Sequence, residues 1–87
     1  MYRKIVDENE LIHAKVVSEV TDLNLNECYI MVRDWNDELI EEGVIKRKRR
    51  AFTLAQKVMN DYGVSIKAIN NAIDTVNKEI KKVTRSN

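Results

Sequence analysis

Five adjacent cations, Lys46-Arg47-Lys48-Arg49-Arg50, are the residues of this chain best suited to a chemical task. Side by side they repel one another, so they are comfortable only in water or against an anion such as phosphate. They are the sharpest point of a wider sorting of charge. Residues 7–42 hold eleven acids and two bases, whereas residues 43–87 hold eleven bases and three acids, so the halves carry net charges of −9 and +8 in a chain that is formally +1. Such sorting fits a surface built for a charged partner, or a basic half that folds onto an acidic half and neutralises it. Groups for catalysis are sparse by comparison. His13 is the one histidine and has Glu10 and Val17 as helical neighbours, which fits a surface or boundary residue better than a general base. Glu38, Glu41 and Glu42 read as a solvated face rather than an acid/base pair, and Cys28, in an apolar run, reads as a small buried hydrophobe. No glycine-rich phosphate loop is present, and one cysteine with one histidine cannot build a structural zinc site. The expectation is a binding protein, not an enzyme, with neither metal nor cofactor.

The elements that must carry these residues follow from spacing. Asp7-Glu8-Asn9-Glu10 resembles an Asp-x-x-Glu cap, and Ile12, Val16, Val20 and Leu23 recur at helical intervals, which predicts a first helix over about 8–21. Asn24-Leu25-Asn26-Glu27 repeats the cap, and Cys28, Val32, Trp35 and Leu39 share one face of a second helix over about 26–42 that Gly43 stops. Val44-Ile45 and Ala51-Phe52-Thr53-Leu54 suit two short strands with the cations at their turn, although no Gly, Asn or Asp occupies that turn. Thr53-Leu54-Ala55-Gln56 has the form of a capping box for a third helix ending at Gly63, and Ser65 caps a fourth. There Ile66, Ile69, Ile73, Val76, Ile80 and Val83 alternate three and four apart, the seam of a coiled coil. A helix of about 19 residues spans nearly 30 Å, more than so small a core covers, so Ile69, Ile73, Val76, Ile80 and Val83 are expected to meet a second copy as a dimer interface, the alternative being one long helix packed wholly inside a four-helix monomer. No internal repeat is evident.

Eighty-seven residues, 44% apolar and 33% charged, describe one globular domain. No stretch approaches the roughly 18 apolar residues of a membrane span and no signal-peptide pattern opens the chain, so the expectation is a cytoplasmic protein without membrane contact.

The stretch Leu23-Asn24-Leu25-Asn26-Glu27-Cys28-Tyr29-Ile30-Met31-Val32, followed by Leu39-Ile40-Glu41-Glu42-Gly43-Val44-Ile45-Lys46-Arg47, resembles the winged helix-turn-helix superfamily of DNA-binding domains. There a turn leads into a recognition helix that ends in acids, a glycine and an apolar pair opening the wing. The stretch from Phe52, with Tyr62-Gly63-Val64-Ser65-Ile66-Lys67-Ala68-Ile69, also resembles the tail of MerR-type DNA-binding regions and of chaperone-modulator domains. Together the resemblances cover roughly residues 12–76. They imply a mainly α fold with a minimal β-hairpin, a winged helix-turn-helix over about 8–62 and a dimerisation helix over about 65–84. They further imply that Asn26, Tyr29 and Arg33 face the major groove while Lys46, Arg47, Lys48, Arg49 and Arg50 grip the backbone. Three features depart from the pattern: a longer and acidic recognition helix, a wing turn without glycine, and a second helix-turn-helix register around Gly63 that would present Lys67, Asn70 and Asn71. The resulting expectation is a small homodimeric regulator, of transcription or of plasmid or phage functions, bound to double-stranded DNA. The alternative is a helical module that binds another protein through its acidic half and last helix.

Overall fold

The first ten residues already depart from the expected helix. The Glu10 carboxylate accepts the backbone N–H groups of both Val6 and Asp7, and Asn9 N–H donates to Asp7 Oδ1 (2.7 Å), so this segment closes into a turn. Those two backbone bonds, Val6 foremost, also hold the Glu10 carboxyl below its ordinary pKa. The chain leaves the turn as a strand. The computed structural model describes residues 2–85, with side chains through residue 81. Its elements are β1 (Leu11–His13), α1 (Ala14–Thr21), α2 (Leu25–Glu41), β2 (Phe52–Leu54), α3 (Ala55–Tyr62) and α4 (Ile66–Arg85). The protein is mainly helical with one two-stranded antiparallel sheet, β1 against β2 in the register Leu11↔Leu54, Ile12↔Thr53, His13↔Phe52.

Two sequence expectations are corrected here. The helix expected from residue 8 begins at Ala14, because Ile12 is buried from a strand and not from a helix face; an apolar residue two positions ahead of a helix mimics its spacing. The helix cap is His13, whose Nδ1 accepts Lys15 N–H (3.0 Å). Likewise Phe52–Leu54 is a strand, but its partner is β1, and Val44-Ile45 form no strand. Instead the α2 terminus folds back: Val44 N–H (2.9 Å) and Ile45 N–H (3.4 Å) both donate to the Leu39 carbonyl, and Gly43 sits at φ 76°. The remaining helix limits agree with the sequence to within about two residues. Asn24 caps α2 by accepting Asn26 N–H (2.8 Å), Gly63 closes α3 at φ 66°, and Ser65 Oγ accepts Ala68 N–H (3.1 Å) in the first turn of α4.

The two halves of the chain repeat one another, which the sequence did not reveal. Each consists of a three-residue strand, an eight-residue helix, one left-handed residue (Asp22, φ 62°; Gly63, φ 66°), two further linking residues and a long helix, at a constant offset of 41 positions. The sheet register obeys the same offset. Ile12 and Thr53 are equivalent and pair with each other, while Leu11 pairs with the equivalent of His13 and His13 with the equivalent of Leu11. Two flanking bonds match as well: Ala14 N–H donates to the Ala51 carbonyl (2.8 Å) and Ala55 N–H to the Glu10 carbonyl (2.9 Å). The two strands are therefore related by a local two-fold axis through the Ile12–Thr53 pair, but the packing of the helices does not follow it, since α4 lies chiefly against α1 while its would-be counterpart pair, α2 and α3, makes little contact. Equivalent positions share their fate in the core: Ala14 and Ala55, Val17 and Val58, Cys28 and Ile69, Val32 and Ile73, Trp35 and Val76 are all buried.

Thr53 is the exception in chemistry. It is fully buried where its equivalent is Ile12, and its hydroxyl has no hydrogen-bond partner among the described residues; it also does not cap α3, whose N-cap is Leu54. An unpaired buried hydroxyl costs about 1–3 kcal/mol, whereas a methyl there costs nothing in hydration. Thr53→Val should therefore raise the unfolding free energy in urea by about 1 kcal/mol. A loss of stability would mean that the hydroxyl does find a partner.

The last helix spends its apolar seam within one chain. Ile69, Ile73 and Val76 are 0%, 1% and 5% exposed, and α4 packs principally against α1. Their three-and-four spacing is thus accounted for by the protein's own core, and these three residues offer no surface to a second copy. Ile80 is half-buried beside Leu25 and Val76, and the Val83 side chain lies outside the described residues.

Candidate nucleic-acid interface

The basic run is suspended between two fixed points. At its start the folded-back α2 terminus pins Val44 and Ile45 to Leu39; at its end a tight turn is closed by Phe52 N–H donating to the Arg49 carbonyl (3.1 Å). Ala51 occupies the left-handed position of that turn (φ 66°), the place where the expected glycine would have been, and its carbonyl is held by Ala14 N–H. All five cations are exposed, but they are not equivalent. Lys48 pairs with Asp37 on α2. The Arg49 guanidinium lies 5.4 Å from the centroid of the Phe52 ring. Lys46 and Arg47 stand over a hollow between the loop and the sheet, and Arg50 turns the other way, toward α2. Self-neutralisation of the acidic and basic halves is therefore partial. Besides Lys48–Asp37 it includes Lys57–Glu38 (2.9 Å), which raises the Lys57 pKa, chiefly through its hydrogen bond to that carboxylate.

On α2 the residues expected to face a groove all lie outward. Asn26, Tyr29 and Arg33 are exposed, and Ile30 between them is 52% exposed, unusual for a large aliphatic side chain. Tyr29, Ile30 and Arg33 line one shallow concavity with Arg50, Ala51 and His13. Two of the three helix residues singled out by sequence are thereby brought beside one residue of the basic run. Asn26 lies one turn earlier on the same helix. The others separate: Lys46 and Arg47 border a different hollow, with Asn36 and Leu11. Apart from Glu27 in the first turn, the acids of α2 follow from Asp34 onward, toward its C-terminal end, so the helix presents its least acidic stretch at the concavity. The Arg33–Asp34 pair, at 3.9 Å between exposed neighbours, is a weak restraint on the guanidinium.

Sequence reasoning missed His13 and Ile30. His13 reaches the concavity because β1 pairs with β2, a contact 39 or more residues apart in sequence with no local signal. Its ring stacks on Tyr2 (5.0 Å between centroids) and meets Phe52 (5.0 Å) and Tyr29 (6.1 Å) edge-on. Burial, with a smaller contribution from Lys15, lowers its pKa, and accepting Lys15 N–H likewise requires an unprotonated Nδ1. His13 is accordingly a neutral wall of the concavity. Cys28 is buried, and burial raises its thiol pKa, so it takes no part in the surface. Among the described residues there is no group of three or more His, Cys, Asp or Glu placed to hold a metal ion, and no helix is long and apolar enough to cross a membrane.

No family model, curated protein or solved structure matches this chain.

Proposed function

We propose that the protein binds double-stranded DNA through the first half of α2 and the basic loop, in a helix-turn-helix arrangement where the loop takes the place of a wing. The observation that carries this reading is the convergence of Tyr29, Ile30, Arg33 and Arg50 on one concavity. Arginine and tyrosine donors suit phosphate and base edges, and an exposed aliphatic group suits the thymine methyl in a major groove. The three-residue link between α1 and α2, with Asp22 left-handed, is of the kind that joins the two helices of such a unit. Lys46, Arg47 and Arg50, which pair with no carboxylate among the described residues, supply the phosphate contacts. A regulatory role, in transcription or in plasmid or phage functions, is the form of activity that a domain of this size and charge suits.

The test is a salt titration with duplex DNA. Four phosphate contacts, from Arg33, Lys46, Arg47 and Arg50, give an expected log-log slope of about −3 to −4 per bound chain, at about −0.9 per contact. A slope near zero rejects the reading. It would favour the second one, a protein-binding module, for which the internal Lys48–Asp37 and Lys57–Glu38 pairs are the supporting observation because they consume charge inside the molecule.

A further inference from the structure

The hollow beside the basic loop shares no residue with the concavity of Tyr29 and Arg33. It holds about 600 Å³ between the loop, α2 and the two strands, within the range of roughly 300–1,000 Å³ usual for small-molecule pockets. Its composition is two-sided. Leu11, Ile45, Phe52 and Leu54 make an apolar wall, and Lys46, Arg47 and Arg49 make a cationic rim. No acid lines it, in a chain with 14 Asp and Glu residues. Asp37 and Glu38, the next two residues of α2 after Asn36, are taken by Lys48 and Lys57 instead. Lys46 and Arg47 pair with no carboxylate among the described residues, and the Arg49 guanidinium stands 5.4 Å from the Phe52 ring centroid. Three cations around one rim repel one another until an anion joins them.

Asn36 adds a buried polar group to the wall. It is 3% exposed, and its Nδ2 donates to the Phe52 carbonyl (2.7 Å), which fixes the carboxamide in place. A carboxamide has two donor hydrogens and an acceptor oxygen, and that bond uses one donor. The frame is set by backbone bonds. Val44 and Ile45 N–H are both held by the Leu39 carbonyl, and Phe52 N–H donates to the Arg49 carbonyl in an antiparallel bridge between those two residues. A pocket shaped in advance loses less freedom when it is filled.

We infer that this hollow binds a small organic anion, a phosphate or carboxylate carried on an apolar body. The anionic head meets Lys46, Arg47 and Arg49, whose guanidinium forks match two oxygens at once, and the body lies against Leu11, Ile45 and Leu54 with the Asn36 carboxamide as hydrogen-bonding partner. The site does not depend on the DNA reading. It shares Lys46 and Arg47 with that reading, however, so an occupied hollow engages two of the cations assigned to the duplex backbone, and ligand and duplex compete.

Naphthyl phosphate is the probe, titrated by calorimetry beside its two halves, naphthol and inorganic phosphate. The ester should bind about tenfold or more tighter than either half, because head and body act together in one site. Proton–nitrogen correlation spectra should place its shifts on Leu11, Arg49 and the Asn36 side-chain amide, away from Tyr29 and Arg33. Arg47→Glu should weaken the ester by about tenfold or more, through loss of a charge-assisted bond. Ile45→Ser should weaken it about fivefold and leave inorganic phosphate as it was, since only apolar contact is removed. Lys78→Glu, at an exposed lysine outside the hollow, should change it by less than about twofold, as a screened distant charge does. Circular dichroism should show the same helix content in all three variants. Equal affinity for the ester and for inorganic phosphate would reduce the hollow to a patch of charge, as would equal effects of Arg47→Glu and Lys78→Glu. Absence of both heat and shifts with the ester would remove the site and leave the α2 interface where it stands.

Discussion

Replacing Lys46, Arg47 and Arg50 together by alanine should lower affinity for duplex DNA on the order of 100-fold near physiological salt. Each phosphate contact contributes about −0.9 to the salt slope, which at about 0.15 M corresponds to roughly fivefold in affinity relative to 1 M, and three such contacts multiply. The choice of these three residues over the other two is structural. Lys48 already pairs with Asp37, and Arg49 lies against the Phe52 ring, so their removal gives up contacts within the protein as well as any to a ligand. The triple variant should fold as the unmodified protein does, because all three side chains are exposed and the loop is fixed by backbone bonds at Leu39, Arg49 and Ala51. The salt slope should also fall in magnitude by about 3. Affinity within threefold of the unmodified protein, with an unchanged slope, would remove the loop from the interface and leave α2 alone to account for any binding.

What the sequence conveyed about this molecule was local. Asn24, Gly63 and Ser65 announce helix ends through their own side-chain and backbone chemistry, and α2, α3 and α4 lie where those signals put them. Trp35 and Cys28 were legible as core for the same reason, since they sit on an apolar stripe of the helix that carries them. The pairing of β1 with β2 had no such signal. Phe52–Leu54 looks equally ready to pair with Val44-Ile45 close by or with Leu11–His13 far away, and the nearer choice has the lower closure entropy. The distant choice prevails because the Leu39 carbonyl captures Val44 and Ile45, and because the distant pairing buries Ile12 and Thr53 beneath the helices.

The repeat was hidden for a related reason. Of the equivalent core positions only Ala14 and Ala55, and Val17 and Val58, are identical, while Cys28 answers to Ile69 and Trp35 to Val76, so what recurs is burial and not residue type. The same substitution of class for identity explains the dimer seam. An apolar residue every three or four positions marks a buried face, and the spacing is silent on whether the cover is another chain or, as for Ile69, Ile73 and Val76, the chain's own first half. At the candidate site, Tyr29 and Arg33 were visible as exposed helix residues and Arg50 as part of the cation run. Their convergence was not, since it depends on the Ala14–Ala51 bond that holds the loop's end beside α2.

Trp35→Ala should cost about 3–5 kcal/mol, the range for truncating a large aromatic in a core, and in a domain of this size that approaches the whole of a typical stability of about 5–15 kcal/mol. Trp35 is the one tryptophan of the chain and is 6% exposed. Its ring meets Tyr62 edge-on at 6.4 Å between centroids, and its indole N–H donates to Asp61 Oδ2 (2.8 Å), so both its apolar body and its polar edge tie α2 to α3. That tie matters to the candidate interface. The basic loop leaves α2 and re-enters the fold through β2, which runs directly into α3, so Trp35 fixes the separation of the loop's two ends. The carboxylate left behind is exposed and rehydrates, so the larger part of the cost should come from the vacated volume. Two companion variants divide the effect. Trp35→Phe keeps most of the ring and loses the indole donor, and should recover more than half of the loss; Asp61→Ala removes the acceptor alone and should cost about 1–2 kcal/mol, as expected for a hydrogen bond to a charged group at a partly wet edge. Urea unfolding followed by far-ultraviolet circular dichroism is the appropriate measurement, because Trp35→Ala also removes the intrinsic tryptophan signal. A cost below about 1 kcal/mol for Trp35→Ala would mean that α3 is held to α2 by other contacts, and that the two ends of the basic loop are not positioned by this side chain.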